Sequence, residues 1–219
     1  ATGYNNIDID YTRAHSITVC NAGDYSTEAV AQHVFAFILH EYNTVDKYNT
    51  FVKNEGWVNA ETFSPFFAMR ELQGKTIGVI GYGSKVADVA RVFGMKVMAY
   101  SRSQEKKDPN FRILEYASID DILANSDIVT MHCPLNEDSK YMCNKEFFKK
   151  MKKDALFINT SRGNVVDEEA LAWALNNDII AHAAVDVVSK EPMEKDNVLL
   201  KAKNIIITPH IAWAPIEAR

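Results

Sequence analysis

The stretch Lys75-Thr-Ile-Gly-Val-Ile-Gly-Tyr-Gly-Ser-Lys-Val-Ala-Asp-Val-Ala-Arg-Val-Phe93 decides the fold. Its first six residues, Lys75 to Ile80, form an apolar, β-branched run that reads as a strand buried on both faces. Gly81 and Gly83 mark a turn, after which Val86, Val89, Ala90 and Phe93 fall at i, i+3, i+4 and i+7, the spacing of one helix face. Strand, glycine turn and helix together suit a phosphate: glycines let the backbone approach it, and free amides at a helix start favour an anion. Two glycines also suit an ordinary strand-to-helix turn, because Val86 stands where the usual G-x-G-x-x-G spacing has its third glycine.

On the carboxyl side the same alternation continues. Strand-like runs recur at Lys96–Tyr100, Asp127–Met131, Ala155–Ile158, Ile180–Val187 and Asn204–Thr208. Helical patterns separate them at Ala87–Phe93, Ile119–Ala124, Lys145–Met151 and Glu168–Asn176, with Ser118 and Asp167 as N-caps. Six strands alternating with helices predict an α/β fold, a doubly wound parallel sheet covered on both faces, because parallel strands need crossover connections. Such a sheet binds ligands at the carboxyl ends of its strands. The first 70 residues differ. Ser26 to about Val52 reads as one long helix capped by Ser26 or Thr27, and the aromatic-rich segment Trp57–Ala68 reads as an ordered loop whose rings serve packing.

Composition narrows the function classes. The chain has 219 residues and a net charge of -5, with 24 basic against 29 acidic side chains, so a broad nucleic-acid footprint is not expected. No apolar run approaches the roughly 18 residues of a membrane span, and the amino end does not read as a signal peptide. Three cysteines (Cys20, Cys133, Cys143), odd in number and without ligand spacing, argue against a disulfide scaffold or a metal site and for a reducing cytosol.

Candidate site residues lie at predicted strand ends. Ser101 and Arg102 follow the second strand, where an acidic residue would hold ribose hydroxyls and Ser-Arg can instead meet a 2′-phosphate. Arg162, Glu191 and His210 follow the last three strands. A guanidinium clamps a carboxylate in two places, and a histidine beside a carboxylate has its cationic form favoured, as a proton donor requires. Each also has a plain reading: a surface ion pair, a solvated loop residue, a satisfied turn histidine.

Read together, these stretches resemble the D-2-hydroxyacid dehydrogenase family. The resemblance is carried by Ala1–Asp8, Tyr25–His33, Leu72–Gly78, His132-Cys-Pro-Leu135, Ile158-Asn-Thr-Ser-Arg-Gly163, Asp186-Val-Val-Ser-Lys-Glu-Pro192 and Thr208-Pro-His-Ile-Ala212. It is nearest to the hydroxypyruvate reductase and glycerate dehydrogenase-like members. It implies an enzyme transferring hydride between NAD(P)H and a small 2-oxo acid, hydroxypyruvate or glyoxylate among the candidates. Arg162 would then bind the substrate carboxylate, His210 would protonate the carbonyl oxygen, and Glu191 would hydrogen-bond His210. Gly81, Gly83, Ser84, Lys85, Ser101, Arg102, His132, Cys133, Pro134, Thr160, Ser161 and Asp186 would line NADP or NAD, with Asp186 at the nicotinamide amide. Tyr25 would lie near the substrate.

The resemblance also implies a division of the chain. Residues 1–22 would be a remnant of a substrate-binding domain, 23–70 an interdomain and dimerisation segment, 71–213 the dinucleotide-binding domain, and 214–219 a shortened return to the substrate domain. A homodimer is expected, on the ground that Val34, Phe35, Phe37, Ile38 and Leu39 exceed what one sheet face covers. Against the family pattern three residues are missing after Ser84, the third glycine among them. A helix-anchored arrangement would keep Val86 and Val89 buried and let the turn absorb the shortening. A glutamine in place of Glu191 would point to formate oxidation, so that branch is disfavoured. The alternative of another class is a non-catalytic NAD(H)-binding scaffold, akin to corepressor relatives.

Overall fold

A computed structural model describes residues 3–4, 7–62, 67–81, 83–101 and 115–219. The strands are β1 (Thr76–Gly81), β2 (Lys96–Tyr100), β3 (Glu115–Tyr116), β4 (Ile128–His132), β5 (Leu156–Asn159), β6 (His182–Val185) and β7 (Ile205–Ile207). They form one sheet in the order β3-β2-β1-β4-β5-β6-β7, and each neighbouring pair is parallel. The order turns back between β1 and β4, which opens a crevice at their carboxyl ends. There Gly81 is in register with His132.

Strand alternation sends side chains to two apolar layers. Ile77, Val79 and Ile158 pack with helix α2 (Thr27–Asn43) and helix α4 (Ser84–Val92) through Val34, Ile38, Val86 and Ala90. Ile80, Val129 and Phe157 face the other way. They meet α5 (Ile119–Asn125), α6 (Lys145–Lys150) and α7 (Glu168–Asn176) through Ile122, Phe147, Phe148 and Leu171. Phe147, Phe148 and Phe157 meet edge to face, with centroids 5.2–6.1 Å apart. The caps follow the chemistry of short polar side chains: Ser118 accepts from Asp121 N and Asp167 from Ala170 N.

The six strands read from sequence are all present. The seventh, β3, is two residues long, too short to leave a period, and pairs with β2 at Met98 and Ala99. A short helix α1 (Ile9–Ala14), capped by Asp8, also left no apolar pattern to read.

The long amino-terminal helix is corrected. It breaks at Thr44, which sits at φ 48°, and resumes as α3 (Val45–Lys53). The apolar pattern runs through the break, so periodicity does not mark it. What the bend achieves is tertiary: the Tyr48 hydroxyl donates to Phe67 O at 2.9 Å and accepts from Phe67 N at 3.0 Å. The packing role expected of the loop aromatics holds for Phe67, which lies against Tyr48 and Phe51. Trp57 is 55% exposed, and residues 63–66 of this loop lie outside the described residues. The apolar surface of α2 is likewise covered by this chain's own sheet: Val34, Phe35, Phe37 and Ile38 are buried and Leu39 packs against them, so that argument for a dimer falls. Among the described residues no helix is long and apolar enough to cross a membrane.

Candidate active site

The cleft is built from the carboxyl ends of adjacent strands. After β1 the chain turns through Gly81 at φ 103°, and a Cβ there would lie 2.4 Å from the His132 carbonyl carbon. The turns after β1 and β4 therefore touch backbone to backbone, which only glycine permits. Helix α4 starts at Ser84, directly after Gly83, and its N-cap provides no side-chain acceptor. Its first-turn amides lack the cap that α5, α6 and α7 each have, and such amides suit an anion. Val86, Ala87 and Ala90 are buried and Val89 packs beside them. Val86 and Val89 thus lie on the packed face of α4, the placement that a helix-anchored arrangement requires. Lys85 reaches Glu28 on α2, with Nζ 3.3 Å from Oε1.

Ser101 stands at the end of β2, and Arg102 lies outside the described residues. His132 ends β4 and is followed by Cys133 and Pro134. The His132 ring accepts or donates one hydrogen bond with Thr130 Oγ1 at 2.9 Å, and burial pushes its pKa down to about 4.

After β5 the buried Asn159 folds the chain back on itself. Its Oδ1 accepts from Ser161 N and Ser161 Oγ, and its Nδ2 donates to Arg162 O at 3.0 Å. Arg162 is thus held at the strand end, and the Gly3 main chain lies against its guanidinium. The next residue, Gly163, brings this turn against the one after β6: a Cβ on it would lie 1.9 Å from the Val188 carbonyl carbon. The Thr160 hydroxyl is buried with no hydrogen-bond partner, an orphan that a bound polar group would satisfy.

The turns after β6 and β7 hold the titratable pair. Glu191 Oε2 lies 2.6 Å from His210 Nδ1, and Glu191 Oε1 accepts from Val188 N at 3.2 Å. Both side chains keep a little over a third of their surface exposed. His210 sits at φ 55°, with its amide donating to Asp186 O at 2.8 Å. The Asp186 side chain beneath is buried and accepts from Thr208 Oγ1, Ile211 N and Ala212 N. A carboxylate offers about four lone-pair sites, so one remains on Oδ2 for a further donor such as an amide.

Arg162, Glu191 and His210 follow β5, β6 and β7, which are consecutive in the sheet and spaced about 4.8 Å apart. Three turns, far apart in the sequence, share one edge. Tyr25 lies in the turn before α2 and is 36% exposed. A cavity of about 310 Å³ opens at the opposite edge, lined by Glu41, Tyr42, Lys47, Arg70 and His182, away from these strand ends.

The comparisons with known proteins agree with this geometry. Residues 35–212 match the family described as D-isomer specific 2-hydroxyacid dehydrogenase, NAD binding domain. The chain belongs to the D-2-hydroxyacid dehydrogenase family. It is 39% identical to a hydroxypyruvate reductase of Blautia hydrogenotrophica over its full length, spanning 69% of that protein. Among solved structures, a D-lactate dehydrogenase from Aquifex aeolicus complexed with NAD and lactic acid superposes with a TM-score of 0.87 at 33% identity. That match covers 100% of this chain and 69% of the other. An acyclic imino acid reductase (Bsp5) in complex with NADPH and D-Arg gives a TM-score of 0.86 at 32% identity, covering 100% of this chain and 68% of the other. This D-2-hydroxyacid dehydrogenase is an NAD(P)-dependent oxidoreductase whose chemistry is hydride transfer between the nicotinamide and a 2-oxo or 2-hydroxy acid. The uncapped α4 amides and the orphaned Thr160 hydroxyl fit a dinucleotide laid along the strand ends.

Sequence reasoning missed Asn159, Thr208 and His33 as parts of this edge. An asparagine closing a strand ahead of Ser-Arg was a readable turn signal. His33, on a helix outside the sheet, left none.

Proposed function

We propose that the protein reduces a small 2-oxo acid, hydroxypyruvate or glyoxylate, with Arg162, Glu191 and His210 as its reacting constellation. The observation that carries this reading is the Glu191–His210 hydrogen bond, held at a strand edge next to the Arg162 turn. In it His210 Nδ1–H donates to Glu191, which fixes the ring and leaves Nε2 to face the substrate. The Arg162 guanidinium binds the substrate carboxylate and stabilises charge developing on the carbonyl oxygen. His210 delivers its Nε2 proton to that oxygen as general acid. The nicotinamide, when bound, supplies the hydride. Gly81, Gly83, Ser84 and the Lys85 amide take the pyrophosphate end, the Lys85 side chain being paired with Glu28, while Ser101 and Arg102 take the adenosine ribose. His132, Cys133 and Pro134 form the wall beside it; Thr160, Ser161 and Asp186 hold the nicotinamide half, and Tyr25 borders the substrate.

In this reading residues 71–213 form the dinucleotide-binding domain and 23–70 an interdomain and pairing segment, with 1–22 and 214–219 belonging to a substrate-binding part. A two-fold dimer is supported by exposed apolar side chains on and beyond α3, namely Val45, Val52, Trp57, Val58 and Met69. Cys20, Cys133 and Cys143, none of them in a disulfide, suit a reducing cytosol. Arg102 favours NADPH. The deciding experiment mixes the protein with NADH or NADPH and each acid and follows the absorbance of the reduced nicotinamide. Oxidation dependent on hydroxypyruvate or glyoxylate supports the proposal; nucleotide binding without turnover supports the scaffold alternative instead.

A further inference from the structure

The hydrogen bonds beneath His210 lead out of the sheet to a residue with no assigned role. Asp186 Oδ1 accepts from Thr208 Oγ1 at 2.5 Å and from Ile211 N at 2.9 Å, and Oδ2 accepts from Ala212 N at 2.8 Å. With the bond from His210 N to Asp186 O, these fix three consecutive amides of the turn that presents His210. They also hold His210 at φ 55°, a conformation non-glycine residues seldom adopt. The Thr208 hydroxyl has one proton, and it is used on Asp186. Its contact with His33 Nε2, at 3.1 Å, is therefore one in which Thr208 accepts and His33 donates. His33 Nε2 also lies 3.5 Å from Asp186 Oδ1, and the ring is braced edge-on by Phe37 at 4.5 Å. Burial lowers the His33 pKa, against the pull of the Asp186 charge, so the ring acts here as a neutral Nε2–H donor.

We propose that His33 is a positioning residue for His210: through the Thr208 hydroxyl it orients the Asp186 carboxylate, which in turn sets the amides of the His210 turn. Helix α2 is thereby coupled to the proton donor without touching the reacting atoms. The inference rests on the reading of His210 as the general acid, and the experiment separates the two.

The variants are Thr208→Val and His33→Ala, each with a conservative partner, Thr208→Ser and His33→Gln, that keeps the required hydroxyl or N–H. In the first measurement, amide hydrogen exchange at Ile211 and Ala212 is followed in the protein without substrate, with Ile128 and Phe157 in the sheet as controls. Thr208→Val and His33→Ala should speed exchange at the two turn amides by about tenfold while the sheet amides hold, and Ser and Gln should restore it. In the second, kcat should fall by about 10- to 100-fold in the same two variants, as expected for a displaced reacting group, and Thr208→Ser and His33→Gln should recover it. Turn amides that exchange as in the wild type would overturn the inference. So would sheet amides that speed up equally, or Ser and Gln variants as impaired as Val and Ala. If the wild type reduces no 2-oxo acid, the reading of His210 fails, and the exchange measurement still decides whether His33 holds the turn.

Discussion

The two turns that a dinucleotide and its substrate would meet are built in opposite ways. After β1, the turn from Gly81 to Ser84 relies on the absence of side chains: one glycine lets two backbones touch, and the helix that follows starts without a cap. After β6 and β7, the turns carrying Glu191 and His210 rely on side chains, with the buried Asp186 carboxylate accepting three donors and Glu191 fixing the histidine ring. A phosphate is recognised by amides whose placement follows from chain path, whereas a proton donor needs a ring held within a fraction of an ångström.

The largest expected effect is at the second turn. In the proposed mechanism His210→Ala removes the proton donor, and it should lower kcat by about 10²- to 10⁴-fold, with nucleotide affinity within about twofold, as checked by steady-state rates and fluorescence titration. A comparable loss of nucleotide affinity would mean that the two turns are not separable.

At the first turn, Gly81→Ala places a Cβ at φ 103° and 2.4 Å from the His132 carbonyl carbon. Backbone strain and the forced separation of β1 from β4 together should cost about 3 kcal/mol, read as a shift of the denaturant midpoint. A midpoint shift below about 1 kcal/mol would show that the two turns do not depend on that close approach.

Between the turns stands His132, whose pKa falls from the ordinary imidazole range to about 4 through burial. Below about pH 6.5 the unfolded chain binds a proton that the folded chain refuses, so stability is complete above that pH. It should decline by roughly 2–3 kcal/mol as pH falls toward 4. Denaturant unfolding across that window should give a slope that His132→Gln flattens; an unchanged slope would place the acid sensitivity at a group other than His132, and not at Asp127. That carboxylate is pushed up by burial but lowered on balance by its bonds from Lys152 and Thr76. Its contribution is lost only at still lower pH, as the group takes up a proton in the folded state.

The legibility of the chain divides along the same line. Strand β2 and helix α7 were readable to the residue, because periodicity and caps are local. Arg162, Glu191 and His210 were readable as types at strand ends, and the sheet order brings their turns to one edge. Thr44 was not, since an apolar pattern continues across its left-handed break. Nor was the pairing of His33 with Thr208, 175 residues apart, because no local spacing records a contact made only when α2 lies on the sheet.

The smallest effect is also the most direct test of the contrast. Helix α4 begins immediately after Gly83, and Val86, its third residue, is 2% exposed against the sheet layer. Burying that valine draws the helix start toward the strand, so fewer of its amides face outward than in a turn three residues longer. Lys85, in the same first turn, is directed to Glu28 rather than to the cleft edge. Nucleotide affinity should therefore be below what the rest of the strand edge would support. A three-residue insert after Ser84 that includes a glycine should tighten NADH or NADPH by about tenfold, or about 1.4 kcal/mol. An insert of three alanines should not, because lengthening alone does not let the backbone approach a phosphate. Equal gains from both inserts would assign the deficit to length, and no gain from either would show that the short turn holds the phosphates as well as a long one.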